Sequence, residues 1–235
     1  MVLVTGPRAE YGREIKTLGE ACRQFARRHS PWMILGAIAV LAVARVLAGD
    51  VTWRDAVAVA AMLVVYPFGE WTIHVYLLHA KPIRLRGRLV ELPTTRDHRY
   101  HHRHPNNLMT LLLDPKELAQ LLLLAVPVVA ALGGFLVGLI AGPVPIGALL
   151  SAALTGYVLV GIYEWTHYLI HTAYVPRTAA YRRVWRNHRL HHFKNERYWH
   201  GITNTVADRV LGTMPDQHDI PRSDTARTLD PGPAR

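Results

Sequence analysis

The stretch PIGALLSAALTGYVLVGIYEWTHYLIH, Pro145 to His171, decides the fold class. It carries no charge before Glu164 and no polar face for most of its length. A bilayer takes about 20 residues of helix to cross, so this stretch is long enough to span. Its far end then turns polar, with Glu164, His167 and His171 at helical spacing. Three further stretches have the same character: Pro31 to Gly49, Ala56 through Val65 toward His79, and Lys116 to Ala141. Arg45 interrupts the first near its end, where a long side chain can snorkel. Ser30-Pro31 and Asp114-Pro115 each set a capping side chain before a proline at the first helical position, and Glu117 completes a capping box. A soluble bundle with very apolar cores is the alternative, and the missing polar face of the third and fourth stretches argues against it.

Composition narrows the field. Of 235 residues, 50% are hydrophobic and 19% charged, yet the net charge is +10. The charge is therefore crowded into short regions. Residues 1–30 hold six Lys/Arg, 80–116 hold eight, and everything after His171 holds eleven. The connector 50–55 has only Arg54, and 142–147 has none. That asymmetry predicts four spans with both termini cytosolic. The basic excess reads as a skirt against anionic headgroups, and with no base-reading motif beside it nucleic acid is not an expected partner. One cysteine, Cys22, excludes a disulfide scaffold.

The chain thus divides into a basic segment 1–30, a four-span domain 31–214 and a flexible polar tail 215–235, rich in Pro, Asp and Arg. Ile15, Leu18, Cys22 and Phe25 give the first segment an amphipathic spacing suited to the inner leaflet, and no apolar core of a signal peptide precedes residue 31.

Ten of the fourteen histidines fall into four groups. His74 and His79 close the second apolar stretch, and His167 and His171 close the fourth. His98, His101 and His102 form one HxxHH, and His188, His191 and His192 form another. Spacings of three and four share a helical face, so each HxxHH can offer two ligands to one site and a third to a neighbour. At 1.5 Å per residue, His74 lies about 27 Å beyond Ala56 and His167 about 30 Å beyond Gly147. Both pairs therefore reach the cytosolic edge, where all ten rings can meet in a helical cap.

A tetrahedral structural zinc takes four ligands; ten suit two metals with about five each. A His-rich capture loop would be low in complexity rather than spaced on helical periods, and a cation transporter places ligands along a path near the midplane. Imidazole ligation suits iron, and a redox metal can activate dioxygen. Zinc hydrolysis wants few ligands and an open water position. Oxygen chemistry beside a lipid surface is the favoured reading. A membrane metal buffer or transporter is the rival from another class.

The segments Glu70-Trp71-x-x-His74, His98-x-x-His101-His102, Glu164-Trp165-Thr166-His167 and Asn187-His188-Arg189-Leu190-His191-His192, with Gly201-Ile202-Thr203 and Asp208 to Thr213, resemble the membrane histidine-box di-iron superfamily of fatty acid hydroxylases and sterol desaturases. The resemblance covers residues 55 to 215 and is nearest the fatty acid 2-hydroxylases. It implies an all-helical, four-span membrane protein whose cytosolic cap holds two iron ions on His74, His79, His98, His101, His102, His167, His171, His188, His191 and His192, with zinc as a substitute in purified protein. The implied reaction is monooxygenation of a membrane lipid or fatty acyl chain by dioxygen: hydrogen abstraction, then hydroxyl rebound. Sterol or carotenoid oxidation and desaturation use the same centre and stay open. Arg99, Arg103, Arg186 and Arg189 are equivalent candidates to hold an acyl headgroup. The thirty residues before the first span leave no room for a fused cytochrome b5 domain, so a separate donor, a ferredoxin or cytochrome b5-type protein with its reductase, is expected. Glu70, Glu164, His200 and Asp208 are candidates for supporting the ligands. Against that role, Glu70 and Glu164 also read as ordinary helix polarity, His200 as an interfacial histidine, and Asp208 as part of a Thr205 capping box closed by Gly212.

Overall fold

A computed structural model describes residues 11–229; the first ten residues of the basic segment and residues 230–235 of the tail lie outside the described residues. The chain is helical apart from one hairpin. In order it runs α1 (Leu18–Phe25), α2 (His29–Leu47), α3 (Trp53–Thr72), β1 (Ile83–Leu85), β2 (Arg88–Val90), α4 (Pro93–Arg103), α5 (Pro115–Gln120), α6 (Val126–Ala141), α7 (Ile146–Ile170), α8 (Ala179–Phe193) and α9 (Val206–Val210). A π-helical turn, Ile73–Leu78, continues α3, and another, Leu121–Ala125, joins α5 to α6. Four stretches are long and apolar enough to cross a membrane: His29–Leu47, Trp53–Leu78, Leu108–Phe135 and Ile146–Ile170. They fit a membrane protein.

The chain folds as two compact units. One takes Gln24–Gly69 and Leu113–Trp165; the other takes the segment up to Arg23, Glu70–Leu112 and everything from Thr166 onward. The first of these is the apolar unit. Ile34 of α2, Leu118 of α5, Leu122 and Val126, and Tyr157 and Val160 of α7 form its core. Ala130, Ala152 and Ala153 make a second contact where small side chains let α6 and α7 approach. Val46, Val64 and Leu123 point outward and are largely exposed, a surface suited to lipid rather than water. α2 starts one residue before Ser30, so Ser30 is inside the helix and Arg28 is its N-cap, with no side-chain capping bond to the helix. Asp114 does cap α5, accepting from the Lys116 amide at 2.8 Å.

Arg45 does not snorkel. Its guanidinium is buried and meets Asp55 Oδ1 through Nε at 2.8 Å and through a terminal nitrogen at 2.7 Å, while Gly49 and Asp50 carbonyls accept its remaining N–H groups. Ser151 of α7 donates to Asp55 at 2.7 Å, and the Thr52 amide donates at 2.8 Å. This network ties the end of α2, the start of α3 and α7 together. A charge at the end of a span is tolerable here because each guanidinium nitrogen has an acceptor.

The second unit is polar inside. α4 and α8 carry the two HxxHH segments, and Thr178 caps α8 by accepting from the Tyr181 amide at 3.3 Å. The hairpin pairs Ile83 with Val90, Arg84 with Leu89 and Leu85 with Arg88. Residues 11–15 thread past α4 and α7: the Gly12 amide donates to Asn106 O at 2.9 Å, and the Ala173 amide donates to Gly12 O at 2.9 Å. A Cβ at Gly12 would collide with the His171 carbonyl, so only glycine fits. The tail, expected to be loose, is hydrogen-bonded through Leu229: the Ser223 amide donates to Lys194 O at 2.8 Å, and Arg99 donates to Leu229 O at 2.7 Å.

Asp55→Ala strands the buried Arg45 charge, and removing one partner of such a pair costs about 3 kcal/mol. The midpoint of thermal unfolding in detergent should fall clearly, whereas Arg54→Ala in the same connector should leave it unchanged; equal midpoints would show that the Arg45 network does not hold the apolar unit.

Candidate metal centre

Four elements of the polar unit deliver ten histidines. In an α-helix, residues five apart diverge by about 140°, so His74 and His79 would face different ways. The π-helical turn removes that divergence. The His79 amide bonds back to the His74 carbonyl at 3.1 Å, and the two rings stand 5.0 Å apart. His167 and His171, four apart at the end of α7, reach the same ring separation of 5.0 Å without a bulge. α4 and α8 then present their three histidines each across the gap.

The ligand atoms sort into two groups of five: His74, His79, His98, His102 and His191 in one, and His101, His167, His171, His188 and His192 in the other, with all candidate atoms of a group within 4.8 Å of one another. Each group takes four members from one half of the chain and one from the other. α4 gives His98 and His102 to the first group and His101 to the second; α8 gives His188 and His192 to the second and His191 to the first. His102 and His192 abut where the groups meet, with ring centroids 4.0 Å apart.

The spacing inside each group suits a cation better than hydrogen bonds. His79 Nε2 faces His98 Nε2 at 3.1 Å and His191 Nε2 at 3.2 Å. His188 Nε2 faces His171 Nε2 at 3.1 Å and His192 Nε2 at 3.0 Å. A neutral ring nitrogen either donates or accepts, so one nitrogen cannot satisfy two others. Nitrogens about 2.1 Å from a divalent ion and at right angles lie about 3.0 Å apart. Among the described residues, His74 Nε2, both ring nitrogens of His101, and His102 Nε2 are buried with no hydrogen-bond partner. Orphaned lone pairs at that separation fit a metal.

Backbone carbonyls set the tautomers. His74 Nδ1 donates to His200 O at 2.6 Å, His102 Nδ1 to Ala226 O at 2.9 Å, and His191 Nδ1 to Tyr198 O at 2.8 Å. A carbonyl can only accept, so these rings carry their proton on Nδ1 and turn the Nε2 lone pair inward. Protonation is opposed as well. Burial, and then the neighbouring rings, hold His79, His98, His101, His171, His188, His191 and His192 well below the usual imidazole range. Burial takes His102 down to about 4.

The four supporting candidates act at one remove from the rings or elsewhere. Glu70 accepts from the Ile202 amide at 2.6 Å and from the Thr203 amide and hydroxyl. Asp208 accepts from the His200 and Gly201 amides at 3.0 and 2.8 Å and from Thr213 Oγ1, and Thr205 makes no side-chain cap to α9. Both carboxylates therefore hold the 198–204 loop, and that loop's carbonyls orient His74 and His191. His200 serves through its carbonyl; its ring packs on those of His74 and His191, and its Nε2 meets Arg197 O at 3.1 Å. Glu164 belongs to the apolar unit and accepts from the Leu113 amide at 3.3 Å. Trp199, buried within the loop, has φ +59°, a conformation that costs a bulky residue on the order of 1–3 kcal/mol. Its amide donates to Thr213 O at 2.8 Å and its indole to Pro215 O at 3.2 Å, which keeps it there. A side chain at Gly201 would strike Asn204 O. Sequence reasoning missed Trp199, Tyr198 and Ala226, since a carbonyl that accepts from a ring leaves no trace in residue identity. Of the headgroup candidates, Arg99 is paired with Glu91 at 2.5 Å, and Arg189 lies over the Trp185 ring at 4.9 Å.

A dihydroceramide fatty acyl 2-hydroxylase of Arabidopsis thaliana is 32% identical over 146 residues, covering 62% of this chain and 55% of the relative. A second from the same plant is 28% identical over 151 residues, 64% of this chain and 57% of the relative. The fatty acid 2-hydroxylase of Rattus norvegicus is 27% identical over 158 residues, 67% of this chain and 39% of the relative. The chain thus spans about half the length of the plant relatives it matches, and less of the rat protein. The solved structure of full-length scs7p, in which only the hydroxylase domain is visible, shares the fold with a TM-score of 0.60 at 18% identity, over 83% of this chain and 69% of that one. The sequence model of the fatty acid hydroxylase family matches residues 59–213, a stretch that holds all ten grouped histidines and the 198–204 loop, and the chain belongs to that family.

Proposed function

We propose that this protein is a membrane-bound di-iron monooxygenase that hydroxylates a lipid acyl chain, of the 2-hydroxylase type. The observation that carries the reading is the pair of five-histidine groups, almost wholly buried, with Nε2 atoms converging at 3.0–3.2 Å. Each group would hold one iron. Iron so held, with dioxygen and two external electrons, supplies an oxidant able to place one oxygen atom in an unactivated C–H bond while the other leaves as water. The chain's own residues do the rest. Carbonyls of Tyr198, His200 and Ala226 keep the outer N–H of three rings engaged, so the inner nitrogens stay available as ligands. Glu70 and Asp208 hold the loop that carries two of those carbonyls. Burial excludes bulk water, which would otherwise quench a strong oxidant. The relatives' names favour an acyl substrate, and the lipid-facing apolar helices favour one that resides in a membrane. Charge asymmetry supports four spans with both termini in the cytosol, where a ferredoxin or a cytochrome b5-type protein with its reductase would deliver electrons.

Comparative lipid mass spectrometry of cells expressing wild type and His191→Ala tests the reading, in a host whose donor system is present. Wild type should yield acyl species heavier by one oxygen, with fragmentation placing it next to the carbonyl, and His191→Ala should lose at least 100-fold of that product. Loss of a hydrogen pair would instead make the protein a desaturase. An unchanged acyl pool would redirect the search to sterols and carotenoids.

Acid should destabilise the metal-free protein. Unfolded histidines titrate near 6.5, whereas the folded rings stay neutral to far lower pH, His102 to about 4. Above 6.5 neither state binds protons; below it the unfolded chain takes up protons that the fold excludes, so stability declines as pH falls from 6.5 through 4. The unfolding midpoint of chelator-treated protein should be flat above that window and drop steadily within it. A midpoint that rises on acidification would contradict the buried, neutral cluster.

A further inference from the structure

The tail beyond residue 213, where the family match ends, makes contacts that the histidine pattern does not explain. Residues 221–229 run from the end of α8 to the end of α4. At the α8 end, the Ser223 amide donates to Lys194 O at 2.8 Å, Asn195 Nδ2 to Pro221 O at 3.2 Å, and Thr225 Oγ1 to Glu196 Oε1 at 2.7 Å. At the α4 end, Arg227 donates to His102 O at 3.2 Å and to Arg103 O at 3.0 Å, and Arg99 donates to Leu229 O at 2.7 Å. The last carbonyls of a helix have no intrahelical donor, so Arg227 acts as a C-terminal cap for α4. Its guanidinium also lies 5.2 Å over the Phe193 ring of α8. Between these anchors sits Ala226, buried, whose carbonyl takes the Nδ1 proton of His102 at 2.9 Å.

That bond does what loop 198–204 does for His74 and His191. His102 Nε2 is buried, has no hydrogen-bond partner among the described residues, and belongs to the first group. Without a carbonyl on Nδ1, a neutral ring can carry its proton on Nε2 instead, and then offers no lone pair inward. His102 is therefore held by a chain segment outside the family-matched stretch, and its ring stands 4.0 Å from that of His192 in the second group.

We propose that residues 221–229 are a positioning strap that fixes the tautomer and ring orientation of His102, so that metal occupancy of the first histidine group, and not of the second, depends on the C-terminal segment. In the second group, His171 is served instead by the Pro105 carbonyl, outside the strap. Ala226 and Arg227 are positioning residues, acting through His102. The inference rests on the proposed two-metal reading.

The test counts iron per chain in full-length protein purified in detergent, alongside helicity and the unfolding midpoint. It compares wild type, a chain ending at residue 220, Arg227→Ala and Arg227→Lys. Loss of a partner that orients a metal-bound histidine lowers affinity about 10–100-fold, so at limiting free iron the shortened chain and Arg227→Ala should retain half the wild-type iron with helicity unchanged. Arg227→Lys keeps a donor for the α4 carbonyls and should recover most of the loss. Wild-type iron in both the shortened chain and Arg227→Ala would overturn the strap's role. So would an Arg227→Ala protein that loses all its iron together with its helicity, because the segment would then be part of the fold rather than a selective positioning device. Wild type that binds no more than one metal under iron-replete conditions fails differently: it removes the two-metal reading itself.

Discussion

Ten imidazoles with ring nitrogens turned toward one another constrain everything else in the polar unit. A protonated ring in such a cluster would be stripped of water and set beside other rings that favour staying neutral themselves. A neutral ring still has one N–H to place, and if that hydrogen points inward the lone pair is lost. The arrangement therefore requires an acceptor on the outer side of a ring, and one that can only accept. Main-chain carbonyls meet that requirement at His74, His102 and His191. A carboxylate would also accept, but it would add a negative charge to the shell and raise the tendency of the ring to protonate. The loops of this unit are shaped by the need to aim carbonyls.

The exchange of single members between the groups adds a second demand. Because α4 supplies His101 to the second group and α8 supplies His191 to the first, neither half of the chain completes a group alone. The histidine faces of α4 and α8 must stay in register to within a fraction of an ångström for either group to persist. Direct apolar packing cannot provide this, since both facing surfaces are imidazole. Register comes instead from peripheral bonds: Glu70 and Asp208 on the 198–204 loop, the Gly12 segment against His171 and Asn106, and the tail at the ends of both helices. Trp199 holds its left-handed conformation for the same reason, since the loop it belongs to must present two carbonyls to two different rings.

Much of this was legible in residue order. The apolar runs announced four helices long enough to span, three of them within a few residues of their observed limits and the third displaced by six to eight residues, because hydrophobicity over about 20 residues leaves few other options. Histidines at i, i+3 and i+4 announced shared helical faces. The spacing of five between His74 and His79 did not, because it reads as divergent until a π turn rewinds the helix, and nothing in IHVYLL requires that turn. Arg45 looked like a snorkelling side chain because its partner Asp55 stands in a different helix and Ser151 is far along the chain. Glu70 and Asp208 were recognised as polar groups near the site, but which amides they would hold depends on a loop path that composition does not encode. The tail was the least legible. Its Pro, Asp and Arg content reads as solvated chain, yet its main chain is what α4, α8 and His102 use.

The two units thus owe their stability to different physics. The apolar unit has Ile34, Leu118, Leu122 and Tyr157 in its core, and its buried ionisable groups are the Arg45–Asp55 pair and Glu164, which accepts from the Leu113 amide. In the polar unit the fully buried side chains include five histidines, His74, His102, His188, His191 and His192, with Asn187 and Asp208 beside them. Burying such groups is unfavourable unless each finds a partner, and several ring nitrogens find none among the described residues. A cation held in each group would give those nitrogens their partner and stabilise the folded unit in proportion to the logarithm of its concentration over its dissociation constant. The same orphaned nitrogens that make the site able to bind therefore weaken the metal-free polar unit. The peripheral carbonyl bonds determine how much of that weakness the fold can carry before the metal arrives.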